Sequence, residues 1–264
     1  MPSSAALRQQ IESDFEHRYP SVLTPSVRTI GEVAATGISE IDELLNGGLP
    51  IGAISEITGP ASSGRTSIVL AFLAKRTNDG NLCAWIDAND ALDPESAAAN
   101  GISLRSLLWV RCQKTPIEKP LPSVRNVPSP QKQPWTRLDQ AIRATDQLLQ
   151  AGGFAAIVLD VADEAIEHGR RIPLATWFRF RQAADRTRCS LIVLSKAAYA
   201  QSSAALVLEC RPDCIDIASG TVIRSFSYNV QRGRVRFSPL TNIVRKPPAS
   251  TWSTQATWNH EKRA

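Results

Sequence analysis

Between residues 53 and 196 the apolar positions fall into short continuous runs separated by segments with a helical period. Ala53–Thr58 alternates like a strand, and residues 82–87, 107–112, 155–160 and 190–196 are apolar runs of the kind buried on both faces. Between them, residues 66–76, 93–100, 136–150 and 174–188 read as helices, with Gly101 and Gly152-Gly153 as stops. Ahead of the first strand, residues 36–45 form a short helix ended by Gly47-Gly48. From Ala204 the rhythm changes to short strands and turns over 204–210, 213–217, 221–230 and 233–238. Alternating strands and helices followed by a meander predict an α/β fold with a mostly parallel central sheet and a C-terminal antiparallel β extension.

Three stretches stand outside this rhythm. Residues 5–19 place Leu7, Ile11 and Phe15 four apart on one face of an amphipathic helix, cut off from the core by the Pro20–Pro25 stretch. Such a stripe folds back on its own core or docks elsewhere. Residues 113–135 carry Pro116, Pro120, Pro122, Pro128, Pro130 and Pro134 with little apolar material, the composition of a mobile surface loop or linker. The last stretch, from Pro247, is polar with isolated Trp252 and Trp258, which read as anchors for a protein partner or, alternatively, as core. The expected divisions are an N-terminal helix and arm (1–35), a core (36–240) and a flexible basic, Trp-containing tail (241–264).

Composition narrows the class. A 43% hydrophobic content over 264 residues supports one large core. No apolar run reaches the roughly 18 residues of a membrane span, and the N-terminus lacks a secretory apolar region, so a cytoplasmic protein is expected. Cys83, Cys112 and Cys189 lie in or beside apolar runs as reduced core residues. Cys210 and Cys214 lack the matching His/Cys pair of a metal site. The net charge of +5 is uneven: Arg224, Arg232, Arg234, Arg236, Arg245 and Lys246 fall between Asp216 and Glu261, an interval with no acidic residue. That block fits an anionic partner, either nucleic acid or an acidic protein face, and equally a solvated sheet edge.

The sharpest chemistry lies at residues 59–66, Gly-Pro-Ala-Ser-Ser-Gly-Arg-Thr. Strand, glycine-bounded loop and helix form the setting of a phosphate-binding P-loop, whose backbone N–H groups and helix N-terminus cradle an anion. Gly59, Pro60, Ser62, Ser63, Gly64, Arg65, Thr66 and Ser67 are the candidate nucleotide contacts. Arg65 stands where the motif has lysine, a broad planar fork in place of a slim point charge. Ala155–Asp160 ends in a carboxylate like a Walker B strand, so Thr66 and Asp160 are the candidate Mg²⁺ contacts.

The segments Thr36-Gly37-Ile38-Ser39, Gly47–Gly52 and Ile54–Pro60 closely resemble the bacterial recombinase RecA, and Ile86–Pro94 resembles that family's second nucleotide-site strand. The resemblance runs from about residue 7 to 240. It implies a RecA-like P-loop core with helices on both faces of the sheet and an N-terminal helix of the kind that packs on a neighbouring protomer. In detail the chain is most similar to the ImuA family, RecA-like accessory proteins of the inducible mutagenesis (translesion synthesis) cassette.

Departures from RecA shape the expected function. Asn89 stands where the resemblance places the water-activating glutamate, and an amide cannot accept a proton, so no catalytic residue is assigned there. Asp90, on what reads as an extended segment, points to the opposite face. Ser195-Lys196 replaces the pair that senses the γ-phosphate. Residues 161–173 and 197–203 are much shorter than the loops that enter single-stranded DNA, and Glu164 and Glu167 would repel a phosphate backbone.

The resemblance then implies a non-catalytic or nearly non-catalytic adaptor in SOS-induced translesion synthesis, nucleoid-associated on DNA damage. Its expected partners are an ImuB-type Y-family polymerase homologue and a RecA filament or a second copy met through the N-terminal helix. ATP and Mg²⁺ are expected to bind weakly or not at all. The alternative is a weak DNA-stimulated ATPase acting as a recombination or repair mediator, with DNA held by the basic C-terminal block. A third reading, a division inhibitor or signalling module, rests on fold analogy alone.

Overall fold

A computed structural model describes residues 31–113, 136–218, 222–235 and 248–255. The amphipathic stretch with Leu7, Ile11 and Phe15, the proline-rich 114–135, Arg236, Arg245, Lys246 and Trp258 lie outside the described residues.

The described elements are β1 (Val33–Ala34), α1 (Ser39–Leu44), β2 (Leu49–Pro50), β3 (Ile54–Thr58), α2 (Arg65–Asn78), β4 (Cys83–Asp87), α3 (Pro94–Ala99) and β5 (Leu107–Arg111), then α4 (Arg137–Ala151), β6 (Ala156–Asp160), α5 (Ile166–Arg170), α6 (Leu174–Thr187) and β7 (Ser190–Ser195), and finally β8 (Ala204–Ala218), β9 (Val222–Val235) and β10 (Ala249–Gln255). Local chemistry sets several boundaries. Thr136 and Asp139 form a reciprocal capping box at the start of α4, and Asp93 accepts from the N–H groups of Glu95 and Ser96 ahead of Pro94 at the start of α3.

The main sheet has eight strands in the order β10-β9-β8-β3-β7-β6-β4-β5. Pairing is parallel from β8 through β5 and antiparallel among β8, β9 and β10. Strands β3, β4, β6 and β7 are buried at every residue, because helices cover both faces. On one face Ile57, Trp85, Val158 and Ile192 pack under Ile68, Phe72 and Leu73 of α2. On the other, Ile86, Ile157, Leu159 and Val193 meet Ala141 and Leu149 of α4 and Trp177 and Phe180 of α6. Trp177 and Phe180 meet edge to face at 5.9 Å, while Phe178 on the same helix is exposed. Cys83, Cys112, Cys189 and Cys210 are buried, and burial pushes their thiols up, to about 11 for the first two and about 12 for the others. No helix among the described residues is long and apolar enough to cross a membrane.

Two expectations are corrected here. The four short strands expected after Ala204 are two long ones, β8 and β9, which absorb Pro212 and other interruptions as register shifts in one ladder. The expected tail from residue 241 contains β10, which pairs with β9 and belongs to the core sheet. Trp252 is accordingly not a free anchor: it is 4% exposed and packs on Tyr228 with ring centroids 4.9 Å apart. An edge strand needs apolar side chains on one face only, and here Trp252 supplies that face among Ser and Thr.

Candidate functional site: a phosphate loop closed by its own arginine

The carboxyl ends of β3, β4, β6 and β7 converge at one end of the parallel sheet, where open α/β sheets bind ligands. β3 ends at Thr58, whose hydroxyl donates to the Leu208 carbonyl at 3.1 Å, fixing the exit into the loop. Gly59 follows where a Cβ would collide with the Cys210 carbonyl and stand 2.6 Å from Ser63 Oγ. The loop closes at Gly64, in the left-handed region at φ 80°, and α2 begins at Arg65.

A cleft of about 400 Å³ opens at this loop. One wall is Ala61–Ser67, the opposite wall is Ala91, Leu92, Asp93 and Ser96, and Trp85, Asp160, Asp163 and Tyr228 also line it. The structure therefore brings together Ser62, Ser63, Gly64, Arg65, Thr66, Ser67 and Asp160 in one cleft; Gly59 and Pro60 precede it in the loop and are not among its lining residues.

Arg65 does not extend into the cleft as a phosphate-binding lysine would. It is 6% exposed, and its Nη1 donates to the carbonyls of Gly59 and, at 3.1 Å, Ser195. One guanidinium nitrogen thus ties the start of the loop to the tip of β7. Asp160 is buried, and burial pushes its carboxyl up to about 6; the Ala162 N–H at 3.0 Å and the Arg65 charge pull it back, while Asp87 and Asp163 add to the rise.

A Mg²⁺-bound phosphate fits this cleft in shape and donor type. The loop backbone and the Ser62, Ser63, Thr66 and Ser67 hydroxyls would hold the phosphate, and Thr66 with Asp160 would hold the cation. Ser63 Oγ is buried without a partner among the described residues, consistent with a cradle that has hydrogen-bonding capacity to spare. Balancing charge is the weak point, because Arg65 is already spent on carbonyls.

The turn after β4, which carries Asn89, departs further from expectation. Asp87, fully buried, accepts from the N–H groups of Asn89 (3.2 Å), Ala91 (3.0 Å) and Leu92 (2.9 Å) and from Trp109 Nε1 (3.3 Å), folding residues 88–92 into a tight turn. Asn89 is not among the residues lining the cleft; its carbonyl accepts from Arg137 at 3.5 Å, and its Nδ2 has no partner among the described residues. The expected extended segment at Asp90 is instead a left-handed turn with φ 60°. Its carboxylate is held by Arg111 through two bonds of 2.6 and 2.7 Å, and that guanidinium holds it below the ordinary range. Asp90 is removed as a base by its salt bridge, not by strand alternation.

Both short loops are packed down. Residues 161–173 contain α5, and Lys196 Nζ donates to the carbonyls of Asp163 (3.2 Å) and Glu164 (3.4 Å). Tyr199, 3% exposed, lies so close to Gly169 that a Cβ there would enter its ring. Glu56 Oε1, at the heart of β3, accepts from the N–H groups of Tyr199 (2.6 Å) and Ala200 (2.9 Å). Sequence reasoning gave Glu56 no role, although a carboxylate within a fully buried strand is itself a signal. Tyr228 and Trp85 were missed as well, since only the fold carries them to the cleft.

Of the basic block, the structure describes the side chains of Arg224 and Arg232. Arg224 is exposed, Arg232 is half-buried and donates to the Leu44 carbonyl at the end of α1 (3.1 Å), and only the backbone of Arg234 is described. Arg232 thus has a contact at a helix end.

A RecA-like α/β protein with a phosphate loop is the class this architecture defines. The comparisons agree with it. The RecA N-terminal domain profile matches residues 4–117. The chain is similar to RecA of Nostoc sp. (strain PCC 7120 / SAG 25.82 / UTEX 2576), 39% identical over 99 residues, covering 38% of this chain and 28% of that one. It is similar to RecA of Crocosphaera subtropica (strain ATCC 51142 / BH68), 39% identical over 151 residues, covering 57% and 37%. With RecA of Cutibacterium acnes it shares 35% over 159 residues, covering 59% and 38%. In each case the match spans under two-fifths of the relative's length. In fold it is similar to the RadB recombinase, with a TM-score of 0.55 and 17% identity, over 83% of this chain and 94% of that one. The chain is RecA-like in sequence across its N-terminal part and in fold across most of its length.

Proposed function

We propose that this chain is a non-catalytic or nearly non-catalytic RecA-like adaptor of the ImuA type in SOS-induced error-prone translesion synthesis, cytoplasmic and nucleoid-associated on damage. It binds an ImuB-type Y-family polymerase homologue and, through its N-terminal helix, a RecA filament or a second copy. The observation that carries this reading is the commitment of Arg65 to the carbonyls of Gly59 and Ser195, which removes the loop's own cation from phosphate chemistry. The turn at Asn89 and the packed loops at 161–173 and 197–203 support the same reading. Full-length chain is expected to capture the ImuB-type partner in a pull-down and to release no phosphate from ATP, with or without single-stranded DNA. Failure to capture the partner overturns the adaptor role.

A second reading, a weak DNA-stimulated ATPase acting as a repair mediator, is favoured by one feature: Thr66 and Asp160 still line a cleft of nucleotide scale. DNA-stimulated phosphate release that disappears in both Thr66→Ala and Asp160→Ala would establish it.

A further inference from the structure

The last described strand presses on the phosphate loop from outside. Among the described residues β10 pairs with β9, with Trp252 opposite Tyr228 and Thr254 opposite Phe226, and it also packs against α1. Phe226 stacks on Tyr228 at 6.4 Å with an interplanar angle of 16°, and Tyr228 meets Trp252 at 33°. This stack ends against Gly64: a Cβ there would stand 2.8 Å from Tyr228 Cγ and 2.9 Å from Trp252 Cζ2. Gly64 is also the left-handed N-cap of α2, without a side-chain cap. Two rings therefore fix the point where the loop becomes helix, and one of them, Tyr228, is also a wall of the cleft. Trp252 is buried while Thr251 and Ser253 beside it are exposed, and its indole N–H has no partner among the described residues. Packing, not a polar bond, holds the ring in place.

We propose that β10 is a strap on the phosphate loop: Trp252 seated against Gly64 holds residues 63–65 in order, and lifting it releases them. Arg65 follows Gly64 directly, so its bonds to Gly59 and Ser195 depend on that seat. The linkage is reciprocal, as any coupling between two sites must be. Drawing β10 off the sheet loosens the loop, and forcing the loop to rearrange unseats the strap. The inference stands independently of the adaptor reading, since it concerns the loop and not the partner.

Amide exchange of the full-length chain tests it. Trp252→Ala is expected to speed exchange at Ser63–Arg65 by about tenfold while β4 and β6 stay protected. Trp252→Phe, which keeps a ring, gives a smaller change confined to the same residues, and Ser253→Ala gives none. In the reciprocal arm, Gly64→Ala drives a methyl into the rings and speeds exchange across 249–255. Unchanged exchange at 63–65 in the Trp252 variants, or acceleration spread equally over the sheet in Trp252→Phe, overturns the proposal.

Discussion

Arginine at position 65 places one terminal nitrogen, Nη1, where its N–H groups meet the carbonyl oxygens of both Gly59 and Ser195. Removing the side chain leaves two buried acceptors short of a charged donor, so Arg65→Ala is expected to cost about 2–4 kcal/mol in urea unfolding. A cost within the scatter of exposed-surface variants would show that the bonds contribute nothing. Asp160 sets a pH dependence of opposite sense to the usual carboxylate. Its folded value near 6 lies above the ordinary 3.8, so its favourable contribution is fully present below about 3.8 and is lost as pH rises through about 6. The stability of the native chain relative to Asp160→Asn should therefore fall by on the order of 3 kcal/mol between pH 4 and 7. Parallel stability profiles for the two proteins would refute that origin. At this scale the sequence exposes the odd residue but not its partners: Arg65 is visible as a departure from the motif, while Ser195 reaches it only through the β3–β7 pairing.

Glu56 shows how one side chain disciplines an element. A strand reading Ile-Ser-Glu-Ile-Thr would bury its carboxylate at a cost of several kcal/mol were it not answered, and the Tyr199 and Ala200 N–H groups answer it. Those bonds hold the segment after β7 down on the sheet. Glu56→Ala is expected to destabilise the chain by about 2–4 kcal/mol and to expose residues 197–203 to limited proteolysis, while Glu56→Gln, which keeps an acceptor, costs less. Intact 197–203 in a folded Glu56→Ala variant would contradict the tether. Elements differed in how clearly they could be read. The central strands were plain because burial on both faces leaves unbroken apolar runs. β8 and β9 read as four pieces because residues 211–212 and 231–232 interrupt the strand-like runs, yet long antiparallel ladders tolerate shifts in register. β10 hid in a polar tail because its burial rests on Trp252 and on a neighbour, β9, that no local pattern can reveal.

Across the whole molecule, the departures from RecA divide into those a substitution can reverse and those the chain's length fixes. Arg65→Lys frees the loop's cation, and Asn89→Glu restores a carboxylate on the turn beside the cleft wall. Neither change touches the segments 161–173 and 197–203: Tyr199 packs on Gly169 between them, Lys196 holds the first and Glu56 holds the second. Stimulation by DNA requires a two-state element whose equilibrium both DNA and nucleotide bias. Among the described residues, these two short segments are held down by those contacts and offer DNA no such element. The Arg65→Lys/Asn89→Glu double variant should therefore bind ATP more tightly than the native chain by calorimetry. Its phosphate release, however slow, should be the same with and without single-stranded DNA. Stimulation of that release by DNA would mean that the packed loops still open, and the division between reversible and fixed losses would fail.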